Sequence, residues 1–190
     1  GWRVPGFFMR LPLPGRDAQL QRVREVADRL AVPLTVIDPE QPFTDRVIRS
    51  FVDSYRAGLT PNPCMHCNEQ IKFGLLAEAM RAAGMDRVAT GHYARLVRAG
   101  GRARLARAAH RAKDQSYFLA RLRPEQLDDV LFPLGAWTKE AVHRRAETLG
   151  LHFRGEESQD VCFLANGLSA FLASHGLDRT AGPLVTADGS

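Results

Sequence analysis

The sequence predicts an α/β fold, a partial doubly wound parallel sheet followed by a small helical subdomain. Short apolar runs alternate with stretches whose apolar residues repeat at helical spacing, in the order strand, helix, strand, helix, loop, helix, strand. That order is the pattern of a parallel sheet with crossover helices. After Tyr93 it gives way to an arginine-rich excursion and then to helical stretches with no obvious strand between them.

Each element has a local reason. Arg3 to Met9 reads as a short apolar strand. Arg16 to Leu30 sets Leu20, Val23, Val26, Ala27 and Leu30 at helical spacing. Pro33 to Asp38, PLTVID, is β-branched enough for a second strand. Phe43 to Ala57 returns to helix, with Val47, Phe51 and Tyr55 on one face and Gly58 as the stop. Thr60 to Cys67, TPNPCMHC, carries two prolines and is expected to be neither regular helix nor central strand. A helix follows from Glu69 to Ala83 and ends at Gly84. Arg87 to Thr90 is a third strand, running into Gly91-His92-Tyr93. Ala94 to Ala108, around Gly100-Gly101, reads as a hairpin. Asp114 to Leu122, Pro124 to Leu131 and Thr138 to Leu149 read as helices, with Pro124 in a first turn and Thr138 as a cap; Gly167 to Ser174 is a short one. The organisation is a first unit over 1–110, a helical subdomain over 111–180, and the start of a further unit over 181–190. Parallel sheets bind ligands beyond the carboxyl ends of their strands, so Met9 and the Gly91-His92 turn face a candidate site.

Composition narrows the class. Apolar content of 45% and charged content of 25% are ordinary for a globular chain. No run approaches the roughly 18–20 apolar residues of a membrane span, and the N-terminus lacks a basic-then-apolar signal, so the expected location is the cytoplasm with no membrane partner. The net charge is +5. Arg95, Arg98, Arg102, Arg104, Arg107, Arg111 and Lys113 follow one another with no acidic residue between them. They form either a solvated face or a phosphate-contacting surface, since guanidinium groups fork onto phosphate oxygens.

Three cysteines, Cys64, Cys67 and Cys162, are too few and too odd in number for a secreted disulfide framework. Cys64 and Cys67 have C-x-x-C spacing, which suits a redox dithiol, a pair of metal ligands, or one nucleophile beside a helper. Cys67 would precede the helix starting near Glu69, whose positive end favours the thiolate. Cys162 follows the polar lead-in Glu157-Ser158-Gln159-Asp160, which suggests a loop. A zinc site from the cysteines with His66 or His92 lacks a second ligand pair. Three cysteines could instead hold a four-iron cluster with one iron open. Lys113-Asp114-Gln115 is either a helix cap or a continuation of the basic surface. His92 is either a satisfied structural histidine or a ligand-facing one.

The motifs TPNPCMHCNEQIKFG, ATGHYAR, KDQSYFL, LFPLG and ESQDVCF resemble, in order and approximate spacing, those of the bacterial tRNA-specific 2-thiouridylases. The likeness runs from Gly1 to about Gly189. It implies an ATP-pyrophosphatase α/β domain of the adenine nucleotide alpha hydrolase-like kind. In that family a central domain and a C-terminal β-barrel follow. It also implies an activity: with ATP and Mg, the C2 oxygen of the wobble uridine in tRNAs for Lys, Glu and Gln is adenylated. A cysteine persulfide, loaded by a sulfur-relay protein or cysteine desulfurase, then replaces that oxygen with sulfur. By position, Cys67 is the nucleophile, Cys162 the persulfide carrier and Cys64 an accessory, and Cys67 and Cys162 form a disulfide as sulfur is released. Met9 and Gly91 contact ATP. Asn62 and Pro63 approach the target base, while His92, Lys113, Asp114 and Gln115 contact tRNA.

The chain departs from that pattern in three places. The Ser-Gly-Gly-x-Asp-Ser phosphate loop is absent, and backbone N–H groups of such loops are what cradle a pyrophosphate. The expectation is an N-terminally truncated 2-thiouridylase that does not adenylate RNA by itself. The sequence stops near Thr186-Ala187-Asp188-Gly189, where the central domain should begin. Position 64, often Asp in the family, is Cys here. Two mechanisms stay open: a persulfide on Cys162 with Cys67 attacking, or an iron–sulfur cluster on Cys64, Cys67 and Cys162. A non-catalytic tRNA-binding remnant is the third reading.

Overall fold

The computed structural model describes residues 1–151, 161–177 and 186. The expected unit over 181–190 and the lead-in Glu157 to Asp160 lie outside the described residues, apart from Thr186.

Strand β1 (Gly6–Met9) and strand β2 (Leu34–Ile37) pair in parallel, Gly6 opposite Leu34 and Met9 opposite Ile37. A parallel pair needs a crossover, and helix α1 (Arg16–Arg29) supplies it. The next helix runs through α2 (Glu40–Phe43), a wider π segment Thr44–Ile48, and α3 (Arg49–Arg56). Phe43, Val47, Phe51 and Val52 form its buried face, and Gly58 ends it at φ 74°.

The prolines at 61 and 63 do not keep the following stretch out of helix. Pro63 is the first residue of helix α4 (Pro63–His66), where its missing N–H would have been unpaired anyway. The Asn62 side chain caps that helix, accepting from the Cys64 N–H at 3.1 Å. The chain continues as a π segment, Cys67–Leu76, and then α5 (Ala77–Ala82). In the π geometry the Ala77 N–H reaches back five residues to the Lys72 carbonyl. The buried Gln126 amide donates to the Glu69 and Phe73 carbonyls, at 3.1 and 3.0 Å, and so satisfies acceptors along this widened helix.

Strand β3 (Val88–Ala89) pairs in parallel with β6 (Val130–Leu131). This corrects the helix expected over Pro124 to Leu131: only α6 (Pro124–Leu127) is helical. Two residues of sheet are too short to leave a periodic signal. Likewise Asp114 to Leu122 is no continuous helix but holds a 3-10 turn, Ser116–Leu119, after another at Arg111–Lys113. The hairpin is as expected. Strand β4 (Ala94–Ala99) pairs antiparallel with β5 (Arg102–Arg107), and Gly100 and Gly101 take the positive φ that a two-residue turn requires. The glycine of the LFPLG motif is explained by close approach: a Cβ on Gly135 would lie 1.9 Å from the Ala94 carbonyl oxygen. Helix α7 (Lys139–Thr148) is capped by Thr138, and α8 (Gly167–Ser174) follows the Cys162 loop.

Two buried clusters result. One joins Phe73, Leu76, Ala77, Met80, Val88, Ala94, Leu119 and Val130, with Met9 and Ile37 against it. It knits residues before and after position 111 into shared packing. The other joins Phe43, Val47, Phe51, Cys67, Ile71 and Phe163, with Phe171 and Leu172 of α8 packed on it.

Candidate thiol and nucleic-acid site

The second cluster brings two distant cysteines together. Cys67 is one of its buried members. Phe163, next to Cys162, inserts into the same cluster, with its ring 5.2 Å from Phe51 and 6.1 Å from Phe43, both edge-on. The loop carrying Cys162 is thereby pinned over the helix carrying Cys67. All three cysteines are free thiols; Cys64 is half-buried and Cys162 exposed.

The electrostatics place the three thiols in one neighbourhood. Burial pushes Cys67 up to about 11, Lys72 opposes that rise, and the charges of Cys162 and then Cys64 add to it. Cys64 is raised by burial and lowered by Lys72. Cys162 is raised by burial and by Cys64, against Lys72 and a backbone hydrogen bond. Among the described residues Lys72 is thus the single cation acting on all three, and it has no carboxylate partner there.

These values correct the expectation that a helix N-terminus lowers the Cys67 pKa. Cys67 lies inside the helix, one turn past its start, and desolvation outweighs the dipole. At neutral pH Cys67 rests as a thiol. The role of Lys72 is hidden in the sequence: nothing in CNEQIKF says that its charge acts on all three thiols. Its one sequence signal is rarity, since it is one of three lysines in an arginine-rich chain.

The remaining candidates divide by burial. Asn62 is the helix cap, and Pro63 is buried at its first position. His92 is not on the surface but buried between the rings of Phe73 and Phe132, at 5.9 and 6.1 Å, with the Thr90 hydroxyl 2.9 Å from Nδ1. Burial first, and Lys72 second, lower it to about 4, so it is neutral at pH 7. It therefore underlies the site rather than offering a cation to phosphate. Asp114 is likewise engaged. Burial favours its neutral form, but hydrogen bonds from the Ala108 N–H at 2.7 Å and the Ser116 hydroxyl at 2.7 Å prevail, and its pKa falls. The Gln115 side chain accepts from the Tyr93 N–H at 3.0 Å, and its backbone N–H donates to the Tyr93 carbonyl at 2.8 Å. Lys113 is half-buried beside them.

The basic stretch is different. Cross-strand pairing puts Ala94, Leu96, Ala103 and Leu105 toward the core and Arg95, Arg102, Arg104 and Val97 on the opposite face. Arg95, Arg98, Arg102 and Arg104 are exposed, and none has a carboxylate partner among the described residues.

For a nucleotide, the chain offers the carboxyl ends of β1 and β3. Met9 closes the first, and the exposed Gly91 follows the second, where a Cβ would meet only Leu134 at 3.8 Å. Open space there fits the approach of a ligand, while the sequence supplies no glycine-rich cradle for a pyrophosphate. Among the described residues no three His, Cys, Asp or Glu side chains are arranged to hold a metal ion. Nor is any helix among them long and apolar enough to cross a membrane.

A family model described as the tRNA methyl transferase HUP domain matches residues 10–166. The chain belongs to this family. The match begins directly after β1 and takes in the hairpin and all three cysteines of this HUP domain. Among known proteins, the tRNA-specific 2-thiouridylase MnmA of Desulfotalea psychrophila is 47% identical over 162 residues, covering 85% of this chain and 47% of its own. The tRNA-specific 2-thiouridylase MnmA of Beutenbergia cavernae is 49% identical over 170 residues, covering 87% of this chain and 44% of its own. That of Syntrophotalea carbinolica is 43% identical over 199 residues, covering 100% of this chain and 56% of its own. The chain spans about half the length of the curated relatives it matches.

Proposed function

We propose that this HUP domain serves the 2-thiolation of the wobble uridine of tRNA, as a tRNA-uridine 2-sulfurtransferase, with sulfur carried as a persulfide on Cys162. The observation that carries the reading is the packing of Phe163, the neighbour of Cys162, into the buried cluster that holds Cys67, with the Lys72 charge acting on both thiols. The name shared by its relatives supports the substrate.

Uracil C2 is a poor electrophile. ATP with Mg, which Met9 and Gly91 would contact, would supply the adenylyl group that makes its oxygen a leaving group. The chain's own residues handle sulfur. Cys162, exposed, receives a sulfane sulfur from a sulfur-relay protein or cysteine desulfurase. A perthiol is a stronger acid than a thiol, so it is anionic at neutral pH, and Lys72 stabilises that charge. The Cys67 sulfur attacks the Cys162 Sγ. The bond to the terminal sulfur breaks, a Cys67–Cys162 disulfide forms, and hydrosulfide leaves with the electron pair and the Cys67 proton. Hydrosulfide adds to C2 and the activated oxygen departs. Cys64 stands beside the pair as an accessory thiol. An external dithiol reduces the disulfide for the next cycle.

The basic hairpin holds the anticodon arm by its phosphates, continued by Lys113. Asn62 and Pro63 lie on the approach of the base, while His92, Asp114 and Gln115 shape the surface from below. The tRNAs are those for Lys, Glu and Gln, in the cytoplasm. The α/β unit over 1–110 provides the nucleotide and thiol side, and the segment over 111–180 the tRNA side.

The test is sulfur transfer rather than turnover. The chain is incubated with a cysteine desulfurase and radiolabelled cysteine, then resolved without reductant. Label should be bound to the chain, absent in Cys162→Ala and trapped in Cys67→Ala. Equal labelling of Cys162→Ala would overturn the assignment.

A further inference from the structure

The motif KDQSYFL contains an aromatic residue that the roles above leave unused. Tyr117 is 54% exposed, although it sits in the 3-10 turn Ser116–Leu119 whose Leu119 is fully buried. Its ring lies against that of Phe118, centroids 3.9 Å apart and inclined by 36°, so one face is covered by a neighbour. The turn is fixed from below. The buried Asn68 amide, on the cysteine helix, donates to the Phe118 carbonyl at 3.1 Å, and the Phe118 N–H donates to the Gln115 carbonyl at 3.1 Å. Two residues beyond the turn, Arg121 pairs with Glu69 of the same helix at 2.7 Å. Tyr117 is therefore a presented ring on an anchored turn, backed on one face by Phe118.

Its position matters as much as its exposure. The turn packs on α4, which carries Cys64, and the Cys64 charge is close enough to disfavour the Tyr117 phenolate. Burial and Cys64 both raise the Tyr117 pKa, so the phenol stays neutral at physiological pH. The turn is also tied to the start of the basic hairpin, through the Gln115–Tyr93 hydrogen bonds. A neutral aromatic ring beside a thiol, next to a phosphate-binding surface, is what a splayed pyrimidine requires. Stacking costs little entropy when the ring is already held.

We propose that Tyr117 is the stacking platform on which the splayed wobble uracil rests beside Cys64. This rests on the tRNA reading above and deepens it: Tyr117 positions the base and takes no part in the sulfur chemistry.

The test is a binding cycle on the chain with an anticodon stem–loop RNA bearing either uridine or an abasic nucleotide at the wobble position. Tyr117→Ala should weaken binding of the uridine RNA about tenfold, within the range of one base–aromatic stack. It should leave the abasic RNA bound as tightly as by the unaltered chain. Tyr117→Phe should restore uridine binding, because the ring and not the hydroxyl carries the effect. Circular dichroism of both variants checks that the fold is unchanged. Equal loss for both RNAs, or no loss for either, would overturn the stacking role while leaving tRNA binding intact. Failure of the unaltered chain to bind either RNA would overturn both.

Discussion

Along the helix that carries Cys67 the polar groups are desolvated and mostly engaged: Asn68 donates to Phe118, Gln126 spans two helix carbonyls, and His92 lies between the rings of Phe73 and Phe132. On the β4–β5 hairpin the opposite holds, since Arg95, Arg98, Arg102 and Arg104 stand exposed without carboxylates among the described residues. Other arginines of the chain behave like neither. Arg10 pairs with Asp38 and Asp17, Arg16 with Glu40, Arg49 with Asp45, and Arg56 with Asp53. The number of charges alone therefore says little about binding. What distinguishes the hairpin is that its cations are left unneutralised, and what distinguishes the thiol region is that its chemistry is set by burial. The first should answer to salt and the second to pH.

The largest effect should come from breaking the anchor that unites the thiols. Phe163→Ala removes a buried ring with two edge-on aromatic partners and should cost about 3–5 kcal/mol in a urea melt. It should also release Cys162 from Cys67, so that oxidation no longer links the two. A destabilisation below about 1 kcal/mol would show that the loop is not held by this ring.

Next is acid sensitivity. His92 has a folded pKa lowered to about 4, beneath its ordinary value of 6.5. The unfolded chain thus binds the proton first. Stability is undiminished above pH 6.5, falls as pH drops through that window, and stops falling from this cause below about pH 4. The difference is up to about 3 kcal/mol. His92→Gln, melted across the same range, should flatten that part of the curve. An unchanged slope would exclude His92 as its source.

The hairpin should respond to salt instead. Replacing Arg95, Arg102 and Arg104 with alanine should leave thermal stability unchanged and reduce tRNA affinity at low salt. The slope of log affinity against log salt should fall by about 2–3, near one for each phosphate no longer neutralised. A slope equal to that of the unaltered chain would reduce the hairpin to a solvated face.

Lys72→Met sharpens the thiol side. Lys72 lowers all three cysteines, so its removal should shift each thiol titration to higher pH. Alkylation of Cys162 by iodoacetamide at mildly alkaline pH should slow, and an unchanged rate would separate Lys72 from the site. The smallest effect belongs to the paired arginines. Arg56→Ala, which breaks an exposed pair with Asp53, should alter stability by less than about 0.5 kcal/mol and tRNA binding not at all.

Much of the fold is legible in sequence because it is local. The strands at Phe7–Phe8 and Thr35–Val36, the Gly100-Gly101 hairpin, the Thr138 cap and the stops at Gly58 and Gly84 each follow from a few adjacent residues. The segment 124–131 is not legible in this way, because the two residues of β6 are held by β3 rather than by their own propensity. The prolines near Cys64 have the composition of a break, yet Pro63 begins the helix, which puts Cys67 in a helix interior and not at a helix mouth. That single difference turns the expected fall of its pKa into a rise.

The sequence by itself determined the α/β class, the family motifs, the three cysteines and the uninterrupted cationic run, since each is written in adjacent residues. Only the tertiary structure decided which cysteine is buried, that Phe163 carries Cys162 to Cys67, that Lys72 acts on them, and that Tyr117 is presented while His92 is hidden. Burial and through-space charge depend on which distant segments pack together, and those distances are not encoded at any one position of the chain.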